Sequence, residues 1–389
     1  VRGGTVYLDY AATSAIRPPE VVDAVAAYLR DVGATPGRSG HRLAVDAGRI
    51  AFRCRRALAR LFGVRGDPGR IAFQFNATHA LNSAILGVVR PGDRVVRTAY
   101  DHNAVRRPVA ALARAGVTET VLAGRADGGV DLDAADRALT GARLLVLPHA
   151  SNVLGTVLPV AELARRAHAH GALVLVDASQ SAGHFDVDVD ALGIDLLAFT
   201  GHKGLLGPQG TGGLYVREGI EIEPVFAGGT GGESGELGMP EAMPDRLEAG
   251  TQNGPGLAGL LAGVEWVLAR TPAALHARQS GLKVRLRERL AAVAGVRLLS
   301  PAAPEGVGIV TLTLDGVDPA ELASRLDREH GVMARAGLHC APETHQFLGT
   351  EATGALRFSL GWASTEDDVD RAAGAVAAIA GRNNAPRAG

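Results

Sequence analysis

At 389 residues with 47% apolar content, the chain is long enough to bury a large core and points to about two domains. A net charge of -1 gives no electrostatic basis for gripping nucleic acid or an anionic membrane, and apolar runs such as ALVLV at 172–176 fall far short of a bilayer span. A small solute is the expected partner. Two cysteines cannot form a disulfide framework and VRGGTVYLDY lacks the apolar core of a signal peptide, so a cytoplasmic setting is expected. Early in the chain, AGRIAFRCRRALARLFG reads as a helix with Ile50, Cys54, Leu58 and Leu61 on one face, which predicts a buried Cys54 thiol. From residue 70 to 218 the short strands RIAFQF, RVVRTAY, RLLVLPHA, ALVLVDAS, LLAFTG and GGLYVRE alternate with helical patterns such as PVAELARRAHAHG. That rhythm predicts an α/β domain on a mostly parallel sheet. Near 219 periodicity gives way to EIEPVFAGGTGGESGELGMPEAMPDRLEAGTQNG, a functional loop or a linker. Long helices over roughly 256 to 295 follow, then GVGIVTLTL, a helix at 318–330, GVMARAG, ALRFSL and a closing helix from about 365. These read as a smaller α+β unit. The expected division is a large domain over 17–255 and a small one from 1–16 plus 256–389.

Open α/β sheets bind ligands beyond the carboxyl ends of their strands, and the residues there are unusually polar. Asn76-Ala77-Thr78 opens a helix after RIAFQF, with Thr78 as the expected N-cap. Asp101-His102-Asn103 follows RVVRTAY, Ser151-Asn152 follows RLLVLPHA, Asp177 and Gln180 lie in VDASQ, and Thr200, His202 and Lys203 follow LLAF.

Among the 40 basic residues only Lys203 and Lys283 are lysine. Lys283, in the arginine-rich helix GLKVRLRERLAAV, reads as part of a solvated face. Lys203, in LLAFTGHKGLLGPQGTGG, reads as a position that refuses arginine. A desolvated amine can lose its proton and attack a carbonyl, whereas guanidinium stays charged. A surface cation or a phosphate contact would be the plainer accounts. A nucleotide-gripping loop would place its lysine after the glycines and before Ser or Thr, but Lys203 precedes them and Gly204 follows it. The glycines from Gly204 to Gly213 read instead as close backbone approach and a tight turn.

Pyridoxal phosphate has a handle for each member of this set. Its aldehyde would take Lys203 as a Schiff base, its pyridine nitrogen Asp177, and its ring the flat face of His102. Its phosphate would take the helix start with Thr78, Thr200 and His202. Alone, Asp177 reads as an Asx turn and His102 as a hydrogen-bonded surface histidine. Lys203 about 26 residues after Asp177, on the next strand, favours the cofactor.

YLDYAATS, TPGRSGHRL, NATHALN, DHNAVRRP, SNVLGT, VDASQSAGH, FTGHKGLLGPQGTGGLY, RLEAGTQN and RAGLHCAP together resemble the class V aminotransferase superfamily, in its cysteine desulfurase and selenocysteine lyase branch. The resemblance spans nearly the whole chain. It implies a fold-type I pyridoxal-phosphate-dependent transferase acting as a homodimer, with the site at the subunit interface. Carried over, Lys203 is the Schiff-base lysine, Asp177 the pyridinium partner and His102 the stacking ring that also moves protons. Gln180 would bond the phenolate oxygen. Thr78, His79, Thr200 and His202 would surround the phosphate, Thr251 would reach it from the other subunit, and Asn152 and Arg357 would hold the substrate carboxylate.

Cys340 follows GVMARAGLH in a turn ahead of Pro342 and is expected to be exposed, with Arg335 and His339 favouring its thiolate. An incidental loop cysteine is the plain alternative, and a zinc site with His339, Glu343 and His345 has irregular spacing. The resemblance implies a desulfurase: L-cysteine gives up its sulfur to Cys340 as a persulfide and leaves as L-alanine. A small thiol or a partner protein would accept the sulfur. Leu338 stands where many relatives have His, and FSLGWAST lacks their aromatic-Asn-Thr run, so a selenocysteine lyase or another carbon-sulfur lyase is the alternative, ahead of an aminotransferase.

Overall fold

The computed structural model describes residues 4–37, 40–231, 235–302 and 305–383. The chain opens on a short strand, β1 (Val6–Tyr7), then forms helices α1 (Pro19–Ala27) and α2 (Arg42–Leu61). An alternating series follows: β2 (Ile71–Gln74), α3 (Ala77–Val88), β3 (Arg94–Thr98), α4 (Asn103–Leu112), β4 (Thr118–Leu122), α5 (Leu132–Leu139), β5 (Leu144–Pro148), α6 (Val160–Ala169), β6 (Leu173–Asp177), β7 (Leu196–Thr200) and β8 (Gly212–Val216). The strands form one sheet in the order β2-β8-β7-β6-β5-β3-β4. Pairs from β4 to β7 are parallel, and β8 runs against both neighbours. Inner strands such as β5 and β7 are buried at every residue, as a sheet covered on both faces requires. The edge strand β4 (TETVL) is largely exposed and lacks the apolar run that marks the others, which is why its sequence does not announce it.

Beyond the irregular stretch after 219 come α7 (Gly254–Arg270), α8 (Pro272–Ala291), β9 (Val296–Leu298), β10 (Ile309–Leu314), α9 (Pro319–His330), β11 (Val332–Met333), β12 (Arg335–Gly337), α10 (Pro342–Leu348), β13 (Ala355–Ser359) and α11 (Glu366–Asn383). The long helices expected over roughly 256 to 295 are α7 and α8, which meet at Thr271, whose φ of +65° turns the chain and whose hydroxyl accepts from the Ala274 N–H at 3.2 Å to cap α8. Helix α7 packs on α1 and α2, and its Leu257, Leu260 and Val264 join the core beneath the large sheet. An antiparallel sheet, β12-β13-β10-β9, carries the second core, which includes Leu286, Leu312, Leu326, Phe358 and Ile379. Strand β1 pairs with β11, so residues 6 and 7 are tied to the last third of the chain.

Cys54 is buried in the larger core, where desolvation pushes its thiol pKa up. Lys283 corrects its sequence reading. It is 2% exposed, and burial pushes its amine down to about 8. Helix α8 lies between α7, α11 and the small sheet, so an arginine-rich pattern conceals a face that is covered.

Candidate active site

The carboxyl ends of β2, β3, β5, β6 and β7 open into one cavity of about 310 Å³. Thr78, His102, Asn152, Asp177, Gln180, Thr200, His202, Lys203 and Arg357 all line it, as do Asn76, Arg335 and His339. His79, Thr251 and Cys340 do not.

Helix α3 begins at the cavity wall. Its N-cap is Asn76 rather than Thr78: the Asn76 carboxamide, on extended backbone, accepts the His79 N–H at 2.9 Å. Asn is as good a cap as Thr, and here it stands one residue before the first helical turn. Thr78 is left inside that turn, where the leading N–H groups lie outside the helix's own ladder and favour an anion. Gly212 lets this end seat against the sheet, since a Cβ there would lie 2.9 Å from the Asn76 Cα.

Asp177 ends β6 and pairs in register with Ala198 on β7, the strand that leads to Lys203. Its Oδ1 accepts the Ser179 N–H at 2.8 Å, so the Asx turn exists and coexists with a place in the cavity wall. Lys203 sits in the turn after β7, its carbonyl accepting from the Ser14 hydroxyl at 2.9 Å and from the Leu206 N–H at 2.9 Å. Burial pushes its amine down to about 8 against the pull of Asp177, with Arg357 and Arg335 adding to the depression. Gly204 follows because a Cβ there would meet the Ala182 carbonyl oxygen at 2.3 Å, which accords with close backbone approach.

His102 caps α4, its Nδ1 accepting the Ala104 N–H at 3.0 Å, which leaves the proton on Nε2. Burial lowers its pKa to about 4, so the ring is neutral at physiological pH. His202 is likewise pushed down to about 4 by burial and by Lys203, and its Nδ1 lies 3.0 Å from the Thr13 hydroxyl. Gln180 donates from Nε2 to the Ala11 carbonyl at 3.1 Å, and the Thr200 hydroxyl donates to the Thr211 carbonyl at 3.5 Å.

Arg357 comes from the other unit, on β13, and is 1% exposed. One terminal nitrogen donates to the Asn152 carbonyl at 2.9 Å and the other to Asp9 Oδ1 at 2.9 Å, while Nε is buried without a hydrogen-bond partner. Burial lowers its pKa, and Asp9 opposes the shift. Asn152 Nδ2 in turn donates to the His339 carbonyl at 2.7 Å. Asp9, the partner of Arg357, is a residue that the sequence reading missed, Asn76 was named only as opening the helix, and Arg335 and His339 were singled out only for Cys340. Asp9 lies inside YLDYAATS, but only the fold reveals its partner.

Cys340 is half-buried rather than exposed, because the Asn103 N–H holds its carbonyl at 2.8 Å and draws the turn against α4. Its Sγ lies 3.7 Å from an Arg335 terminal nitrogen. His339 does not supply positive charge: burial holds its pKa down at about 2, so Arg335 is the cation of this turn. Glu343 faces Arg97 and Arg106 rather than the histidines, which removes it from the zinc grouping. His79 stacks on Phe75 and meets Phe226 edge-on in a neighbouring apolar pocket. Thr251 is exposed, on a segment anchored by the buried pair Arg55–Glu248, with Gln252 Nε2 donating to Glu248 Oε2 at 2.7 Å.

The aminotransferase class-V family model matches residues 6–372. A probable cysteine desulfurase of Methanothermobacter thermautotrophicus is 34% identical over 389 residues, covering 97% of this chain and 95% of that protein. The apo structure of a cysteine desulfurase from Thermococcus onnurineus superposes with a TM-score of 0.90 at 31% identity, over 97% of this chain and 95% of that one. The cysteine desulfurase CsdA of Escherichia coli superposes at 0.86 with 29% identity, over 97% and 94% of the two chains.

Proposed function

This chain belongs to the aminotransferase class-V family, and from that membership and the cavity we infer that it is a pyridoxal-phosphate-dependent cysteine desulfurase. The observation that carries the reading is the convergence of Lys203 and Asp177 on one cavity from adjacent strands, with the lysine amine depressed to about 8. The residues fit the cofactor: the cavity joins a helix N-terminus and the hydroxyls of Thr78 and Thr200 to a carboxylate and a buried amine. Asp177 would hold the pyridine nitrogen, Lys203 the aldehyde, Gln180 the phenolate, and the α3 start with Thr78, Thr200 and His202 the phosphate. When bound, pyridoxal phosphate supplies an electron-withdrawing ring that acidifies the substrate α-carbon.

Arg357 and Asn152 would bind the substrate carboxylate. With the substrate held, Lys203 Nζ in its unprotonated form would take the α-proton, and the neutral His102, which would stack on the cofactor ring, can carry a proton on Nε2. Cys340, as thiolate beside Arg335, attacks the substrate sulfur. An S–S bond forms, the carbon-sulfur bond breaks with its electron pair passing to the β-carbon, the β-carbon takes a proton, and the proton held on Lys203 Nζ returns to the α-carbon to give L-alanine. The persulfide on Cys340 then passes to a small thiol or a partner protein. Exposed Phe75, Val225 and Phe226, beside the segment that displays Thr251, support a homodimer in which Thr251 completes the partner's phosphate site.

The test is L-cysteine turnover by cofactor-loaded protein, with alanine quantified and persulfide mapped by alkylation and peptide mass. Label on Cys340, loss of alanine release in Cys340→Ala and its retention in Cys54→Ala are expected. Label on Cys54, or alanine accumulating with none on Cys340, defeats the reading. Turnover of selenocysteine alone by Cys340→Ala would mark the lyase alternative.

A further inference from the structure

Behind the Cys340 turn stand two buried histidines whose hydrogen bonds fix one another. His339 Nε2 lies 3.3 Å from the Arg335 carbonyl oxygen. A carbonyl only accepts, so Nε2 carries the proton and Nδ1 is a bare acceptor. That acceptor faces His345 Nε2 at 3.3 Å, which must therefore donate. His345 Nδ1 is then an acceptor in its turn, taking the Thr350 hydroxyl proton at 2.8 Å. Every proton of the ladder follows from the carbonyl at its end. Burial agrees with the neutral state of both rings, lowering His339 to about 2 and His345 to about 4.

The ladder secures a backbone that has reason to relax. His339 and Cys340 have φ of +51° and +58°, consecutive non-glycine residues in the left-handed region, a conformation that persists only where its surroundings over-determine it. His339 is clamped at its ring by Arg335 and His345 and at its carbonyl by Asn152. The thiol is thereby kept beside the Arg335 guanidinium.

We propose that His345, which does not line the cavity, is a positioning residue for the Cys340 thiol, acting through the tautomer and orientation of His339. The proposal rests on the desulfurase reading for its effect on turnover, but its first readout needs no substrate. The cofactor-loaded wild type, His345→Leu and His345→Gln are compared, because glutamine can return an N–H to the place of Nε2 and leucine cannot. In His345→Leu the rate of Cys340 alkylation by iodoacetamide at neutral pH should fall about tenfold as the thiol leaves its cation. Its kcat for alanine release should fall on the order of 100-fold with KM within about threefold, since a misplaced nucleophile affects the chemical step. His345→Gln should recover most of both losses. Unchanged alkylation in His345→Leu, or glutamine serving no better than leucine, overturns the proposal. If His345→Leu does not fold, nitrogen-15 histidine spectra of the wild type decide: both rings neutral with the proton on Nε2 supports the ladder, and a charged ring or an Nδ1 proton at neutral pH refutes it. Failure of the desulfurase reading would show separately, as a wild type that releases no alanine from L-cysteine.

Discussion

Replacing Lys203 by methionine should destroy activity and stabilise the cofactor-free fold. Burial moves the Lys203 amine from 10.5 to about 8, a figure that already contains the opposing attraction of Asp177. At about 1.4 kcal/mol per pH unit, holding the amine protonated in the folded chain costs about 3 kcal/mol. Below pH 8 the folded and unfolded chains both carry the proton, so the whole cost stands. Between pH 8 and 10.5 the folded amine is neutral while the unfolded one is charged, so the cost shrinks as pH rises, and above 10.5 it is gone. Methionine fills a similar volume without charge. Urea unfolding of the two cofactor-free proteins should therefore show Lys203→Met more stable by about 3 kcal/mol at pH 7 and by less than about 1 kcal/mol at pH 10. Equal stability at pH 7, or a gain that persists at pH 10, would refute the account of Lys203 as a desolvated amine held at a stability cost.

Arg357→Ala should raise KM for L-cysteine by the loss of about 1.5–3 kcal/mol of charged hydrogen bonding while cofactor absorbance is kept; loss of cofactor instead would contradict the assignment. Arg55→Met should destabilise the fold by about 3–5 kcal/mol because Glu248 is left buried and unpaired, and adding Glu248→Gln should restore most of it; a single variant no worse than the double in urea would argue against the pair. His149, His184 and His202 are pushed from 6.5 to about 4 by burial, so below pH 6.5 the unfolded chain binds protons that the folded chain refuses. Stability should fall between about pH 6.5 and 4, by roughly 1.4 kcal/mol per pH unit for each such histidine, and a flat urea midpoint across that window would count against their burial as neutral rings.

Most of the cavity was legible because it obeys a local rule: polar residues follow apolar strands, and a parallel sheet sends all those strand ends to one edge. Where the sequence fell short, the deciding contact was distant. Asp9 precedes the alternating strands, and its role depends on an arginine 348 positions later in the chain. Lys283 and the arginines around it share a helical pattern, but helix α8 is covered on several sides and sequence periodicity reports only one. The cap of α3 moved from Thr78 to Asn76 because either residue type can serve and only backbone geometry chooses. His79, expected around the phosphate, stands outside the cavity against Phe75 and Phe226, and the role expected of Thr251 lies at the partner's site.

The contact between Asp9 and Arg357 joins residues 348 positions apart, and β13, which carries the arginine, is an inner strand of its sheet although it is the last to be made. Synthesis runs from the N-terminus, so the nascent chain can assemble strands β2 to β8, with Asp177 and Lys203 at their ends, long before β13 leaves the ribosome. Until then Asp9 has no guanidinium to meet, and β10 and β12 lack the strand that stands between them. Loop closure over such a separation comes late in folding. The order of translation thus divides the site in time, with the amine and its carboxylate arranged first and the arginine clamp fitted last.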